Sequence, residues 1–216
     1  MRPVVAIHGI SPKADATDFS HELRRGVTTL ARRHGLEAPQ WREVVWSDLS
    51  DIRGESALAQ LADLVQDVER YDHDLTARAA IQGRLRRALG AHSDAVLVAH
   101  SLGSAIACDV LCQPNPPDVG ALITMGSPLG IVSELASYRW RVEIAQVLED
   151  LDWLDIWSPY DPIHTGLGWV RGARGLDSVG YPCRSRELEL VPTVAHTGYW
   201  AHPRVAAWVL EAAGAS

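Results

Sequence analysis

The sequence predicts an α/β protein with a mostly parallel sheet sandwiched by helices, and three observations carry that expectation. Short apolar runs alternate along the chain with longer stretches whose apolar residues recur at helical spacing. The clearest run, Ala95 to Ala99, has no polar alternation, as expected of a strand covered on both faces. The chain has 216 residues and 47% hydrophobic content, which suits one domain with a sizeable core. With no internal repeat and no linker, residues 1–216 are read as a single domain.

The elements follow in order. Val4 to His8 is β-branched, apolar and ended by Gly9, and reads as a short buried strand. Asp18 to His34 reads as a helix: Leu23, Val27, Leu30 and Ala31 share a face, Asp18 is placed to cap it, and Gly35 stops it. Trp41 to Trp46 is a second strand. Ser56 to Leu89 carries helical spacing in two parts, Leu58 to Val68 and Leu75 to Leu89. Ala95 to Ala99 is the next strand, followed by a helix from Ser101 to Cys112 and a Pro-rich loop at Pro114 to Pro117. Ala121 to Met125 is another buried strand, closed by Gly126-Ser127-Pro128, and Ile131 to Leu148 is a helix without a clean stripe. Trp153 to Trp157 is a strand stopped at Ser158-Pro159. Gly166 to Gly180 holds five glycines and reads as irregular, Arg186 to Val191 as the last strand, and Pro203 to Ala213 as a closing helix with proline in its first turn.

Composition narrows the function classes. A net charge of −7 argues against a general nucleic-acid binder, because phosphate neutralisation needs clustered Lys and Arg. No apolar stretch approaches the ~20 residues of a membrane helix, and Val4 to Ile7 is too short for a signal-peptide core. A cytoplasmic location is therefore expected. Cys108, Cys112 and Cys183 have no metal-site spacing and read as small buried residues in a reducing compartment. No glycine-rich loop with phosphate-cradling spacing follows a strand, which disfavours a nucleotide-binding protein.

The chemistry centres on Ala99-His-Ser-Leu-Gly103, between the apolar run and the helix. In an open α/β sheet, ligands gather outside the carboxyl ends of the strands. A sharp strand-to-helix turn there lifts the Ser101 hydroxyl out of the sheet. It also places Ser101 at a helix N-terminus, where backbone N–H groups favour developing negative charge. Ala99 and Gly103 are small, as the crowding of such a turn demands.

This pentapeptide resembles the nucleophile elbow of the α/β-hydrolase superfamily, Gly-x-Ser-x-Gly, with Ala99 in place of the first glycine. The resemblance covers nearly the whole chain. It implies an α/β-hydrolase fold with a minimal cap and a small lipase- or esterase-like serine hydrolase. It further implies the order serine, acid, histidine along the chain. Asp161 follows the strand Trp153 to Trp157 in a Tyr-Asp-Pro similar to the family's acid corner. Its rivals are Asp155, which lies mid-strand, Asp152, at the wrong end of that strand, and Asp177, in the glycine-rich stretch; an Asp in a turn bonding its own backbone is the bland reading of Asp161 itself. His196, before Tyr199-Trp200 and the closing helix, is the implied base. His164 competes but lies three residues from Asp161, and His202 is placed to cap the last helix. The oxyanion hole would take backbone N–H groups of Leu102 and, from the loop after the first strand, Ile10, with Gly9 supplying the turn. His8 reads as a structural hydrogen-bonder and Gly126-Ser127-Pro128 as a pocket wall.

The implied reaction is hydrolysis of a carboxylic ester through an acyl-enzyme intermediate, with a small-molecule or lipid-like acyl ester as substrate and no metal or organic cofactor. Trp140, Trp169 and Trp200 are candidates to rim the site, whereas Trp41, Trp46, Trp153, Trp157 and Trp208 read as packing. Ile131 to Leu148 or Gly166 to Gly180 are candidates for a small lid. A thioesterase or amidase of the same fold, and a non-catalytic binding module on that fold, are the alternatives.

Overall fold

The computed structural model of the chain describes residues 1–9, 18–49, 66, 68, 70–130, 150–161, 163–164, 176–180 and 192–214. The predicted helix from Ile131 to Leu148 and the predicted strand from Arg186 to Val191 lie outside the described residues, as do most of the stretch 56–70 and residues 166–175. So do Ile10, Trp140, Trp169 and Cys183.

Among the described residues six strands form one sheet: β1 (Val4–Ile7), β2 (Trp41–Val44), β3 (Ala95–His100), β4 (Val119–Met125), β5 (Asp152–Trp157) and β6 (Leu176–Gly180). Their order is β2-β1-β3-β4-β5-β6, and every pairing is parallel. The helices are α1 (His21–Arg33), α2 (Leu75–Leu89), α3 (Leu102–Leu111), α4 (Pro192–Thr197) and α5 (Pro203–Ala212).

Continuous apolar strands arise because alternate residues feed opposite faces. On one face Val5, Ile7, Leu97, Leu122 and Trp153 pack against Ile81, Leu85 and Leu89 of α2 and Ile106 and Val110 of α3. On the other, Val4, Val96, Val98, Ile123 and Ile156 meet Leu23 and Val27 of α1 and Val205 and Val209 of α5. Complete burial of such a side chain contributes roughly 1.5–3 kcal/mol, so the central strands fix the sheet's order and leave its carboxyl edge for the site. Cys108 is buried in the first of these clusters.

Two expectations are corrected. Leu176 to Gly180 is a strand and not irregular chain: four of the five glycines precede it and the fifth ends it, while its backbone pairs in register with Trp153 to Trp157. Helix α1 starts later than predicted, with Ser20 and not Asp18 in the cap position. Asp18 instead adopts φ 62°, and its carboxylate meets His21 at 3.0 Å and Arg24 at 2.6 Å. His196 lies within a short helix, α4, immediately before the 3-10 turn Gly198–Ala201. Among the described residues no helix is long and apolar enough to cross a membrane.

Candidate active site

Ser101 stands between β3 and α3 with φ 53° and ψ −132°. A non-glycine residue there is strained, and the surroundings hold it. Ser101 N–H donates to Met125 O at 3.0 Å, and Ser104 N–H donates to Ser101 O at 2.8 Å. Two glycines make room. A Cβ on Gly9 would lie 2.3 Å from Ser101 Cβ and 2.8 Å from its Oγ, and a Cβ on Gly103 would lie 2.7 Å from His8 O. The His8-Gly9 pair after β1 and the glycine after the serine thus serve one close approach between β1 and the turn. Leu102 opens α3, so its N–H has no partner one turn earlier within the helix.

Asp161 follows β5, its N–H donating to Ser158 O at 3.0 Å. His196 Nδ1 lies 3.1 and 3.0 Å from Asp161 Oδ1 and Oδ2. A carboxylate only accepts, so Nδ1 is the donor in this pair. Two further donors converge on the same carboxylate: Tyr199 Oη at 2.7 Å and Ile163 N–H at 3.0 Å. Burial alone would raise the Asp161 pKa, but the hydrogen bond and charge of His196 and these donors outweigh it and pull the group down to about 2. Gly126, at the end of β4 with φ +54°, packs beneath this pair. A Cβ there would lie 2.7 Å from Asp161 Oδ2 and 3.1 Å from His196 Nδ1. The Gly-Ser-Pro corner is therefore the floor of the acid–histidine pair as well as the end of a strand.

The serine turn and the acid–histidine pair meet through consecutive residues at the end of β4: Met125, its last, binds Ser101, and Gly126, the next, underlies His196. Among the described residues no hydrogen bond joins Ser101 Oγ to the His196 ring; such contacts are commonly long in an unliganded site and tighten around substrate. The rivals are elsewhere. Asp155 and His164 are buried and bond each other at 3.0 Å. His202 caps α5, its Nδ1 accepting Arg204 N–H at 3.2 Å. Asp152 is exposed at the start of β5, and Asp177 lies within β6.

His8 accepts Trp46 N–H at Nε2 at 3.2 Å and donates from Nδ1 to Gly9 O, while its ring stacks on Trp46. Burial lowers its pKa to about 4, so it stays neutral. It is a structural hydrogen-bonder, as its position after β1 suggests.

Two residues escaped the sequence reading. His100, inside the pentapeptide, donates Nε2–H to His196 O at 2.7 Å, and its ring sits 4.7 Å from the His196 ring. Burial, followed by the nearness of His196, lowers its pKa to about 3. Tyr199 bonds Asp161 and also accepts Ser158 N–H at 3.1 Å. Adjacency to the motif was the only sequence signal for either, since both act across 38 residues or more. Trp200 joins them, its ring 5.4 Å from His100 and 5.2 Å from Phe19. Among the described residues no cluster of three His, Cys, Asp or Glu side chains is arranged to hold a metal ion.

A parallel sheet with helices on both faces, a strained serine between the third strand and the next helix, and an acid and histidine arriving in that order define the α/β-hydrolase fold. Among solved structures, an inhibited esterase B from Lactobacillus rhamnosis matches all of this chain and 77% of its own at 14% identity, with a TM-score of 0.51. A candidate hydrolase of the alpha/beta superfamily from Xanthomonas campestris pv. campestris matches 98% of this chain and 99% of its own at 21% identity, with a TM-score of 0.49. An IroE-like serine hydrolase from Shewanella oneidensis matches 92% and 70% at 12% identity, with a TM-score of 0.40. No family model matches the chain. No curated protein is detectably similar in sequence. The likeness to esterase B is one of fold.

Proposed function

We propose that this chain is a serine hydrolase that cleaves a carboxylic ester, of a small soluble molecule or of a lipid-like acyl compound. Ser101 Oγ attacks the acyl carbonyl while His196 Nε2 takes its proton. Asp161 fixes the imidazole through Nδ1 and stabilises it once charged. The backbone N–H groups of Leu102 and Ile10 receive the oxyanion, each such donor contributing about 3–4 kcal/mol to the transition state. His196 returns the proton to the departing alcohol, and water then releases the acid by the same route.

The observation that carries this reading is the His196–Asp161 pair at 3.0 Å, seated on Gly126 one residue beyond the carbonyl that binds the Ser101 turn. A merely structural Asp–His pair would not require a strained serine on the neighbouring strand end.

The test is a fluorophosphonate, whose phosphorus takes Ser101 Oγ as fluoride leaves, with the adduct located by mass spectrometry. Rapid adduct on Ser101 that is lost in Ser101→Ala and in His196→Ala supports the mechanism; a folded protein that forms none has an unassembled triad or a closed pocket, and moves the non-catalytic binding module to first place. Matched esters, thioesters and amides then rank the leaving groups.

A further inference from the structure

Asp155 is an unusual residue for its place. It stands in the middle of β5, opposite Thr124 of β4, and is fully buried. A carboxylate there is costly unless its oxygens are satisfied. Oδ1 accepts from Thr124 Oγ1 at 2.6 Å. Thr124 Oγ1 in turn accepts Trp153 Nε1–H at 3.0 Å. An indole only donates, which commits the threonine proton to Asp155. The other oxygen, Oδ2, faces His164 Nε2 at 3.0 Å, and Trp157 stacks on the His164 ring at 5.5 Å and 8°.

His164 closes the loop that carries Asp161. The loop leaves β5 at Ser158, whose N–H is held by Tyr199 Oη, and Asp161 lies between that anchor and His164. The two anchors belong to opposite faces of the sheet. Tyr199 packs in the cluster of α1 and α5, whereas Trp153 and Ile163 pack in the cluster of α2 and α3, the face toward which Asp155, two residues from Trp153, also points. The loop therefore straddles the end of the sheet and is tied on both sides.

Packing alone gives no reason for this arrangement, because a buried, hydrogen-bonded polar pair usually contributes no more than apolar residues of the same bulk. We propose that Asp155 and His164 form a second carboxylate–imidazole clasp that sets the position of Asp161, which makes His164 a positioning residue for the hydrolysis proposed above and rests on that reading. Neither residue touches the reacting atoms. Their effect passes through the loop to Asp161 and hence to the orientation of the His196 ring. Displacing a catalytic group by about 1 Å costs on the order of 100-fold.

The experiment compares four variants with the parent protein, using p-nitrophenyl butyrate turnover, fluorophosphonate labelling of Ser101, thermal unfolding, and proton NMR of the His196 Nδ1–H resonance. His164→Gln keeps a nitrogen donor near the Nε2 position and is expected to stay within about threefold of the parent kcat. His164→Phe removes the donor and is expected to lower kcat by about 10–100-fold with KM within about twofold, and to shift or broaden the Nδ1–H resonance. The Asp155→Leu, His164→Leu double variant leaves no unpaired buried carboxylate, so it tests the clasp should His164→Phe fail to fold; the same loss of kcat is expected. Thr124→Val removes the sheet-side donor to Asp155 Oδ1 and leaves the Oδ2–His164 bond in place, and is expected to lower Tm while kcat stays within about threefold. Parent-like kcat and Nδ1–H resonance in the double variant would overturn the clasp. So would a loss of kcat in Thr124→Val that matches His164→Phe while its Nδ1–H resonance stays parent-like, since activity would then follow stability and not the position of Asp161. A parent protein inert to both reagents would sink the hydrolase reading instead, and the resonance alone would then decide whether the clasp positions Asp161.

Discussion

Tyr199 donates its phenolic hydroxyl to Asp161 Oδ2 at 2.7 Å and receives the Ser158 N–H on the same oxygen at 3.1 Å. One hydroxyl thus holds both the acid and the start of the loop that presents it. It comes from the turn directly after His196, so the acid and the base are carried on elements that grip each other twice.

Replacing Tyr199 with Phe removes one of the donors to the carboxylate and leaves the Ser158 N–H buried without this acceptor. A buried group stranded in this way costs about 1–3 kcal/mol. Urea unfolding of Tyr199→Phe is expected to show that loss, and turnover of an ester is expected to fall by about 3–30-fold with little change in KM. Unaltered stability would mean that Ser158 finds another partner.

Gly126→Ala places a methyl group 2.7 Å from Asp161 Oδ2 and 2.9 Å from Tyr199 Cε2, at a residue whose φ is +54°. Both the left-handed backbone and the contact oppose it. The expected result is a folded protein, destabilised by about 1–3 kcal/mol, whose fluorophosphonate labelling rate drops by more than tenfold. Labelling at the parent rate would show that the acid–histidine pair tolerates displacement.

Stability should fall on acidification in two stages with different owners. His100 and His8 have folded pKa values of about 3 and about 4, below the ordinary value of 6.5. Their neutral forms stabilise the fold fully above pH 6.5. Below it the unfolded chain takes up protons that the folded chain refuses, so stability declines by about 1.4 kcal/mol per pH unit for each histidine. The Asp161 pKa is also depressed, to about 2 from 3.8. Its contribution, on the order of 2 kcal/mol, is complete above pH 4 and is lost between about pH 4 and pH 2. Chemical denaturation from pH 7 to pH 5 should thus reveal a decline that is shallower in His100→Gln; an identical slope in that variant would assign the early stage to other groups.

The fold was legible where burial writes itself into composition. Val4 to Ile7 and Ala95 to Ala99 are uninterrupted apolar runs, and Ala121 to Met125 is broken only by Thr124, because both sheet faces are covered. Leu176 to Gly180 was not legible, since among the described residues it pairs with β5 alone and its neighbourhood is rich in glycine. The candidate site divides in the same way. Ser101, Asp161 and His196 sit in local patterns that a strand, a turn and a helix each require. The tasks of His100, Tyr199 and His164 are set by contacts across the fold. Asp155 looked like a poor acid because it is mid-strand; its actual partner, His164, looked like a poor base because it shares the acid's loop, and only the folded chain pairs the two.

Gly126 is the crossing point of segments that are remote in the chain: His196 is 35 residues from Asp161 and 96 from His100. Contacts between such distant segments form after the loops between them have closed. On the proposed mechanism, a chain that has built only its β3–α3 turn already exposes the serine but has no base to activate it. Chemical competence then arrives with the last docking event, which spares the half-folded protein from acylating itself and makes reactivity a report of finished assembly.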